Sequence, residues 1–412
     1  MSDNSETAVV ARTSADGALR GQLKRLRQGD KGLLPILLGL IVLVIYFEIR
    51  NSVFLSSGNL TNLFVQATIF ILLAMAEIWL LLLGEIDLSV GFVSALGATT
   101  AVILLDNQFH WPWFAALPLA ILVTTAIGTL QGFIIIKLRL PSFIVTLAGL
   151  LGWEGVLIFF VDRQGTGGTI PVQEKVLYDL VNANLSPVWT WIFVLACLAV
   201  LIYLIVRRDQ SRRTSGLDSV PHFVTIAKAV TLIIAGVVLV LIFNRNRGTF
   251  TVLEGMPYAI PVDIAMLAAG SFILTRTRVG RYIYAIGGNA EAARRAGVNV
   301  NRYRLLAFVF TGFTAGVAGL IYASRLGGIS DNVDSNLVLL AVASAVIGGT
   351  SLFGGRGKMI HAVIGGLVIA TIYNGMALIN MSAATQYIAT ALVLLVAVAM
   401  DAVARRGSTP SR

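Results

Sequence analysis

The apolar residues of this chain run together in long blocks. Uncharged stretches occupy Leu88–Leu105, Trp111–Ile136, Leu185–Val206 and Leu305–Ser324. A further run, Met359–Met400, holds no Asp, Glu, Lys or Arg. It is long enough for two membrane spans, with a turn near Asn380-Met381-Ser382. A helix needs roughly 20 mostly apolar residues to cross a bilayer. That length places twelve candidate spans, near 33–50, 60–83, 88–106, 112–136, 142–161, 188–206, 228–243, 256–275, 304–324, 337–352, 359–379 and 385–403. The segment at 337–352 is short and ends in Gly348-Gly349-Thr350, so a re-entrant hairpin is the alternative there. Ten-residue stretches of alternating apolar and polar residues, the mark of a membrane β-barrel, are absent. The expected fold is all-α: a polytopic transmembrane helical bundle of about 10–12 spans with discontinuous helices.

Composition and charge sharpen this picture. Of 412 residues, 57% are hydrophobic and 13% charged, about half the charge of an average soluble chain. The formal net charge is +10. With the N-terminus in the cytosol and the spans alternating, 25 of the 31 Lys and Arg fall on the cytosolic side. Only Arg50, Arg163, Lys175, Arg245, Arg247 and Arg325 fall outside. Cytosolic loops are enriched in Lys and Arg, and the short loop 84–87 is the one exception here. The basic balance therefore implies an inside face and no nucleic acid. An even span count puts both termini in the cytosol. Residues 1–31 read as a disordered cytosolic tail with no cleavable signal peptide, 32–404 as the transmembrane domain, and 405–412 as a cytosolic C-terminal tail. Within the domain, 162–187 forms an external loop, 207–227 a cytosolic loop, and 276–303 a second cytosolic region. Cys197 is the sole cysteine; it sits in an apolar span, where it reads as a packing residue, and no internal disulfide can form.

One cytosolic block stands out. Residues 284–304 read YAIGGNAEAARRAGVNVNRYR, between two apolar segments. Asn289 is a good N-cap, Glu291 suits the positive end of the helix dipole, and Gly297 suits the position after the last turn. The resulting helix of about two turns is too short to persist alone in water. It is either a solvated loop helix beside lipid headgroups or a docking helix for a cytosolic partner, with Arg294 and Arg295 on its surface.

The residues of this block resemble a known signature. Tyr284-Ala-Ile-Gly-Gly-Asn289, Glu291-Ala-Ala-Arg294 and Ala296-Gly297-Val298 are similar to the coupling helix of ATP-binding-cassette sugar importers of the ribose, xylose and galactose type. Glu85-Ile-Asp87-Leu-Ser89-Val-Gly91, Leu140-Pro-Ser-Phe-Ile-Val-Thr-Leu-Ala148, and Ile347-Gly-Gly-Thr-Ser-Leu352 followed by Gly354-Gly355 resemble three further motifs of that branch, in the same order. The likeness runs from about residue 55 to 405. Glu85 and the extra block at 207–250 resemble the D-xylose subfamily in particular. The resemblance implies the permease subunit of an importer in a bacterial inner membrane, built as a homodimer. A separate cytosolic ATPase pair would receive the coupling helices through Gly288, Asn289, Glu291, Ala292, Arg294, Ala296 and Gly297. A periplasmic sugar-binding protein would deliver a monosaccharide to the other face. The chain itself has no G-x-x-x-x-G-K-[ST] phosphate loop, so it is expected to be no enzyme and to hold no cofactor.

A neutral, hydroxyl-rich cargo needs polar side chains inside an apolar wall, and polar groups in a membrane tend to face the bundle interior. The candidates along the path are Gln66, Glu77, Glu85, Asp87, Ser89, Phe143, Thr146, Asn374 and Gln386. Glu85 and Asp87 lie two apart and cannot share a helical face. An unwound segment suits them, with Asp87 or Ser89 capping the helix that follows. Pro141 fits the first turn of the next helix. Asn374 serves equally as a bridge between helices or a contact for sugar. His110, His222 and His361 are far apart with no H-E-x-x-H pair, so no metal site is expected. An ion-coupled secondary transporter or channel is the alternative class, with Glu77 and Asp87 as proton carriers.

Overall fold

The computed structural model describes residues 34–106, 109–165, 167–215, 222–249, 251–334 and 336–406. The predicted N-terminal tail at 1–31, and all but the first two residues of the predicted tail at 405–412, lie outside the described residues. The described chain divides into two compact units.

The larger unit comprises residues 36–183 and 257–403. Its elements are α1 (Leu34–Arg50), α2 (Ser57–Leu81), α3 (Val90–Leu105), α4 (Trp113–Leu138), α5 (Ser142–Gln164), β1 (Thr169–Pro171) and α6 (Lys175–Asn182). After the second unit, α7 (Pro187–Thr214) and α8 (His222–Phe243), come α9 (Ala259–Arg276), α10 (Arg278–Gly288), α11 (Ala290–Arg295), α12 (Val300–Leu326), β2 (Gly328–Ser330), α13 (Asn336–Ile347), α14 (Ile360–Leu378) and α15 (Ala383–Arg406). Each of the twelve predicted spans coincides with a helix. Eight of the described helices are long and apolar enough to cross a membrane: α2, α4, α5, α7, α8, α9, α12 and α14.

At the centre lies α2, buried almost continuously from Ala67 to Leu82. It packs against α12, α14, α13 and α9. Nothing apolar drives helices together inside lipid, so close association needs small residues at the crossing. The α12 sequence supplies them: a Cβ on Gly312 would lie 2.4 Å from the Thr124 carbonyl oxygen of α4, and one on Gly319 2.0 Å from that of Ser94 on α3. With these glycines the backbones of α12, α4 and α3 meet directly.

The two ends of this unit are marked by separate contacts. At one end β1 pairs antiparallel with β2, and Ser324 Oγ donates to the Tyr178 carbonyl at 2.8 Å. At the other end the 82–89 loop, α10–α12 and the 353–358 loop touch one another. These contacts settle α13. This helix has 12 residues, about 18 Å at 1.5 Å per residue, too short for a roughly 30 Å hydrocarbon layer. Yet the chain enters it from the β2 end and leaves it at the opposite end, where the Gly355 amide donates to the Leu82 carbonyl at 2.9 Å. The segment is therefore a half-helix continued by the irregular stretch 348–355, and the re-entrant alternative is not what forms. Irregular backbone at membrane depth has to be buried in protein. Here Gly348 abuts the His361 carbonyl, and Thr350 Oγ1 meets His361 Nδ1 at 3.2 Å.

Two local expectations shift. Pro141 is the N-cap of α5 and Ser142 its first residue, one place later than the first-turn reading; proline restrains its predecessor away from helical angles and leaves no donor behind. The predicted cytosolic loop 207–227 is mostly helix. In the smaller unit α7 runs on to Thr214, with Asp209 and Arg213 paired at 2.8 Å one turn apart, and α8 begins at His222. These two helices pack on each other, with Gly236 making room for Leu198.

Candidate coupling surface and buried polar chain

The short helix α11 is built by its caps. Asn289 Oδ1 accepts from the Ala292 amide at 2.9 Å. Gly297 ends it with φ of +83°, a left-handed angle that costs glycine little. Asn299 Oδ1 then accepts from the Arg302 amide at 3.1 Å and starts α12. One residue pins the helix to the protein: Ala293 is buried against Ile286 and Val300, with Leu83, Val298 and Tyr303 around them. The seven predicted coupling residues, Gly288, Asn289, Glu291, Ala292, Arg294, Ala296 and Gly297, are all exposed. Glu291 pairs with both arginines, at 3.0 Å to Arg294 and 3.2 Å to Arg295.

Behind α11 three loops lock together. A Cβ on Gly287 would lie 1.8 Å from the Leu82 carbonyl oxygen and 2.6 Å from the Gly355 amide. Tyr284 donates its hydroxyl to the Gly357 carbonyl at 2.7 Å. Burial pushes the Tyr284 hydroxyl pKa up, so it keeps the donated proton. Glu85 forms an ion pair with Arg304 in the second turn of α12. Burial raises the Glu85 carboxyl, and Arg304 pulls it part of the way back.

Two residues past Glu85 the same loop enters the interior. The Asp87 carboxylate accepts from the Ser89 amide at 2.8 Å and the Ser89 hydroxyl at 2.6 Å. Ser89 Oγ in turn accepts from Gln131 Nε2 of α4 at 2.8 Å. The Asp87 amide points at Glu77 Oε2, 3.5 Å away, and Thr146 Oγ1 lies 3.4 Å from the Ile86 carbonyl. Ser89 stands at the N-cap position of α3, but its side chain caps nothing. Asp87 instead bonds its own backbone two residues on, a local turn, so the expected helix cap is a loop clasp.

Among the predicted path residues, Glu77, Asp87, Ser89 and Thr146 come together in this chain, while Glu85 in the same loop pairs with Arg304. The others do not join it. Gln66 is half-buried on α2, Phe143 is 53% exposed, and Gln386 donates to the Met381 carbonyl at 3.1 Å. Asn374 exchanges two amide hydrogen bonds with Asn59, at 2.9 and 3.0 Å, so it bridges α14 and α2. Among the described residues no group of His, Cys, Asp and Glu could hold a metal.

Two polar residues within the spans escaped the sequence reading. Gln131, 3% exposed, leaves Oε1 without a partner. Its signal was a lone amide in an apolar span. Glu154 sits in the middle of α5, partly exposed. Its signal was a charge at mid-span, which costs roughly 3 kcal/mol on insertion scales.

The clasp makes a prediction. Asp87→Asn keeps an oxygen that accepts from Ser89, so membrane abundance is expected to stay near normal. Asp87→Leu strands a buried amide and hydroxyl, at about 1–3 kcal/mol each, and abundance is expected to fall several-fold. Quantitative immunoblots of membranes compare the two. Were Asp87 a proton carrier, both variants would be equally inactive at normal abundance.

Residues 59–398 match a family described as branched-chain amino acid transport system / permease component. The chain is 32% identical over 415 residues to the xylose transport system permease protein XylH of Escherichia coli K12, covering 99% of this chain and 100% of the relative. It is 29% identical over 365 residues to the ribose import permease protein RbsC of Haemophilus influenzae Rd, covering 88% and 91%. It is 28% identical over 362 residues to the D-allose transport system permease protein AlsC of Escherichia coli K12, covering 88% of each. No solved structure shows a significant match.

Proposed function

The chain belongs to the permease-component family of branched-chain amino acid transport systems, and from that premise we propose that it is the membrane-spanning subunit of an ATP-driven monosaccharide importer. Relatives named for xylose, ribose and allose support a sugar as cargo over an amino acid. D-Xylose or a related pentose or hexose is the substrate. A separate cytosolic ATPase supplies the energy, a periplasmic binding protein presents the sugar, and a second copy of the chain completes the path. The protein resides in the bacterial inner membrane with both termini in the cytosol.

The observation that carries this reading is α11: two turns of helix, exposed along the predicted coupling residues and pinned from behind at Ala293. A partner pressing there moves α10 and α12 with it. It also moves the 82–89 loop, through the Gly287–Leu82 contact and the Glu85–Arg304 pair. A solvated surface helix needs no such brace, and a carrier driven by an ion gradient needs no docking helix.

The test is uptake into vesicles holding the chain and its ATPase, with binding protein and labelled sugar supplied outside. Uptake should require ATP inside and should survive collapse of the proton gradient. Orientation is tested separately. In a Cys197→Ser background, Asn182→Cys should react with an impermeant thiol reagent from outside intact cells, and a tag after Arg412 should not.

A further inference from the structure

We propose that Glu154 lines a water-filled path through the membrane and accepts hydrogen bonds there from the hydroxyl groups of a neutral sugar. This rests on the importer reading and names a residue of that importer's sugar path.

Glu154 is the thirteenth of the 23 residues of α5, so it stands at the helix midpoint, farthest from either membrane face. Two buried carboxyls of other spans have partners. Glu77 faces the Asp87 amide, and Asp263 is bonded by Thr68. Glu154 has no hydrogen bond and no ion pair among the described residues. Nor can its neighbours supply one. α5 packs on α3, α4 and β1. α3 and β1 carry no charge, and the one cation of α4 is Lys137 in its last turn. The one cation of α5, Arg163, lies in its last turn over the Phe159 ring.

What, then, covers the Glu154 face of α5? Lipid is excluded by the cost of a carboxyl at mid-depth, since such groups face a protein interior or a water-filled cavity. A tightly packed second copy would bring no cation to that depth, since none of the eight long apolar helices carries a Lys or Arg within one turn of its midpoint, and burying the carboxyl there unpaired is costly. Water and neutral hydroxyl groups satisfy a carboxylate without either penalty, because each hydroxyl donates and brings no charge. The surroundings leave room for such a solute: a Cβ on Gly152 or Gly155 would meet nothing within 4 Å. The exposed Leu151 and Ile158 give the apolar wall that the carbon faces of a sugar need.

The experiment uses the whole complex, permease with its ATPase, in inside-accessible membrane vesicles. Glu154→Cys is made in the Cys197→Ser background and treated with a small, charged methanethiosulfonate. Reaction is expected at least ten times faster than that of Cys197 in the parent chain, and at least three-fold slower when D-xylose, D-ribose or D-allose is present in excess. A Glu154→Cys thiol that does not react overturns the water-filled path. One that reacts but is protected by none of the three sugars overturns the sugar contact. Uptake gives the second readout at equal abundance. Glu154→Gln, which keeps an acceptor, should raise the half-saturating sugar concentration about three- to ten-fold, and Glu154→Leu should cut the maximal rate at least ten-fold. Normal uptake by Glu154→Leu sinks the proposal. A parent complex that imports none of these sugars with ATP defeats the importer reading instead, and thiol access still reports whether Glu154 meets water.

Discussion

Gly287→Val is expected to remove nearly all functional protein, and Gly287→Ala most of it. The reason is geometric. The alanine Cβ would fall 1.8 Å from the Leu82 carbonyl oxygen and 2.6 Å from the Gly355 nitrogen. Both are backbone atoms, and they are bonded to each other at 2.9 Å, so neither can swing aside as a side chain would. Relief requires the 82–89 loop and the 353–358 loop to part. That opens the Gly355–Leu82 bond and shifts Tyr284 from the Gly357 carbonyl. Overpacking in well-packed interiors costs typically 1–3 kcal/mol, and a clash with two backbones sits at or above the upper end. The next residue is the control. Gly288 has nothing within 4 Å of its Cβ position and is exposed, so Gly288→Ala should keep normal abundance. Detergent-extracted yield and thermal unfolding of the two variants make the comparison. Equal yields for Gly287→Ala and Gly288→Ala would show that the three-loop lock is not what holds this end together.

That lock marks a boundary of what the sequence discloses. The helices were legible, because a span needs a run of apolar residues long enough to cross the bilayer, and such runs can be counted. The short helix α11 was legible too, since Asn289 and Gly297 are local signals that act on their own neighbours. The lock itself was not. Leu82 and Gly287 are distant in the chain, and Glu85 and Arg304 lie 219 residues apart; nothing local in either predicts the other. Glu85 is a carboxyl beside an apolar span, and only the fold shows Arg304 beside it. The half-helix α13 was ambiguous for a related reason. Its length argued against a full span, and only the contacts at both ends show that the chain crosses. Asp87 was placed correctly on unwound backbone, but its partner was misjudged, because a side chain this short can bond either the next helix or its own loop.

Arg294→Glu is expected to leave the protein folded and in the membrane while reducing sugar uptake more than ten-fold. The fold should tolerate it. Arg294 is 63% exposed, and its pair with Glu291 is exposed on both sides, so the pair contributes only about 0.2–1 kcal/mol. Arg295 still pairs with Glu291, and Ala293 remains buried behind the helix. What changes is the outer surface. A two-turn helix offers a small contact area, so few residues can carry most of its binding energy. Arginine is suited to that role, since its guanidinium can grip a carboxylate through two parallel hydrogen bonds. Reversing the charge there removes that grip and sets like charges face to face. Copurification of the ATPase should therefore fail, while the periplasmic protein still binds the opposite face. Gly297→Val should reach a similar end by another route: it forces a side chain into the left-handed region at φ of +83° and so changes the angle at which α11 leaves α12. The two variants separate chemistry from orientation. If Arg294→Glu and Gly297→Val both copurify with the ATPase and import sugar normally, α11 is a solvated surface helix and the ATPase binds elsewhere.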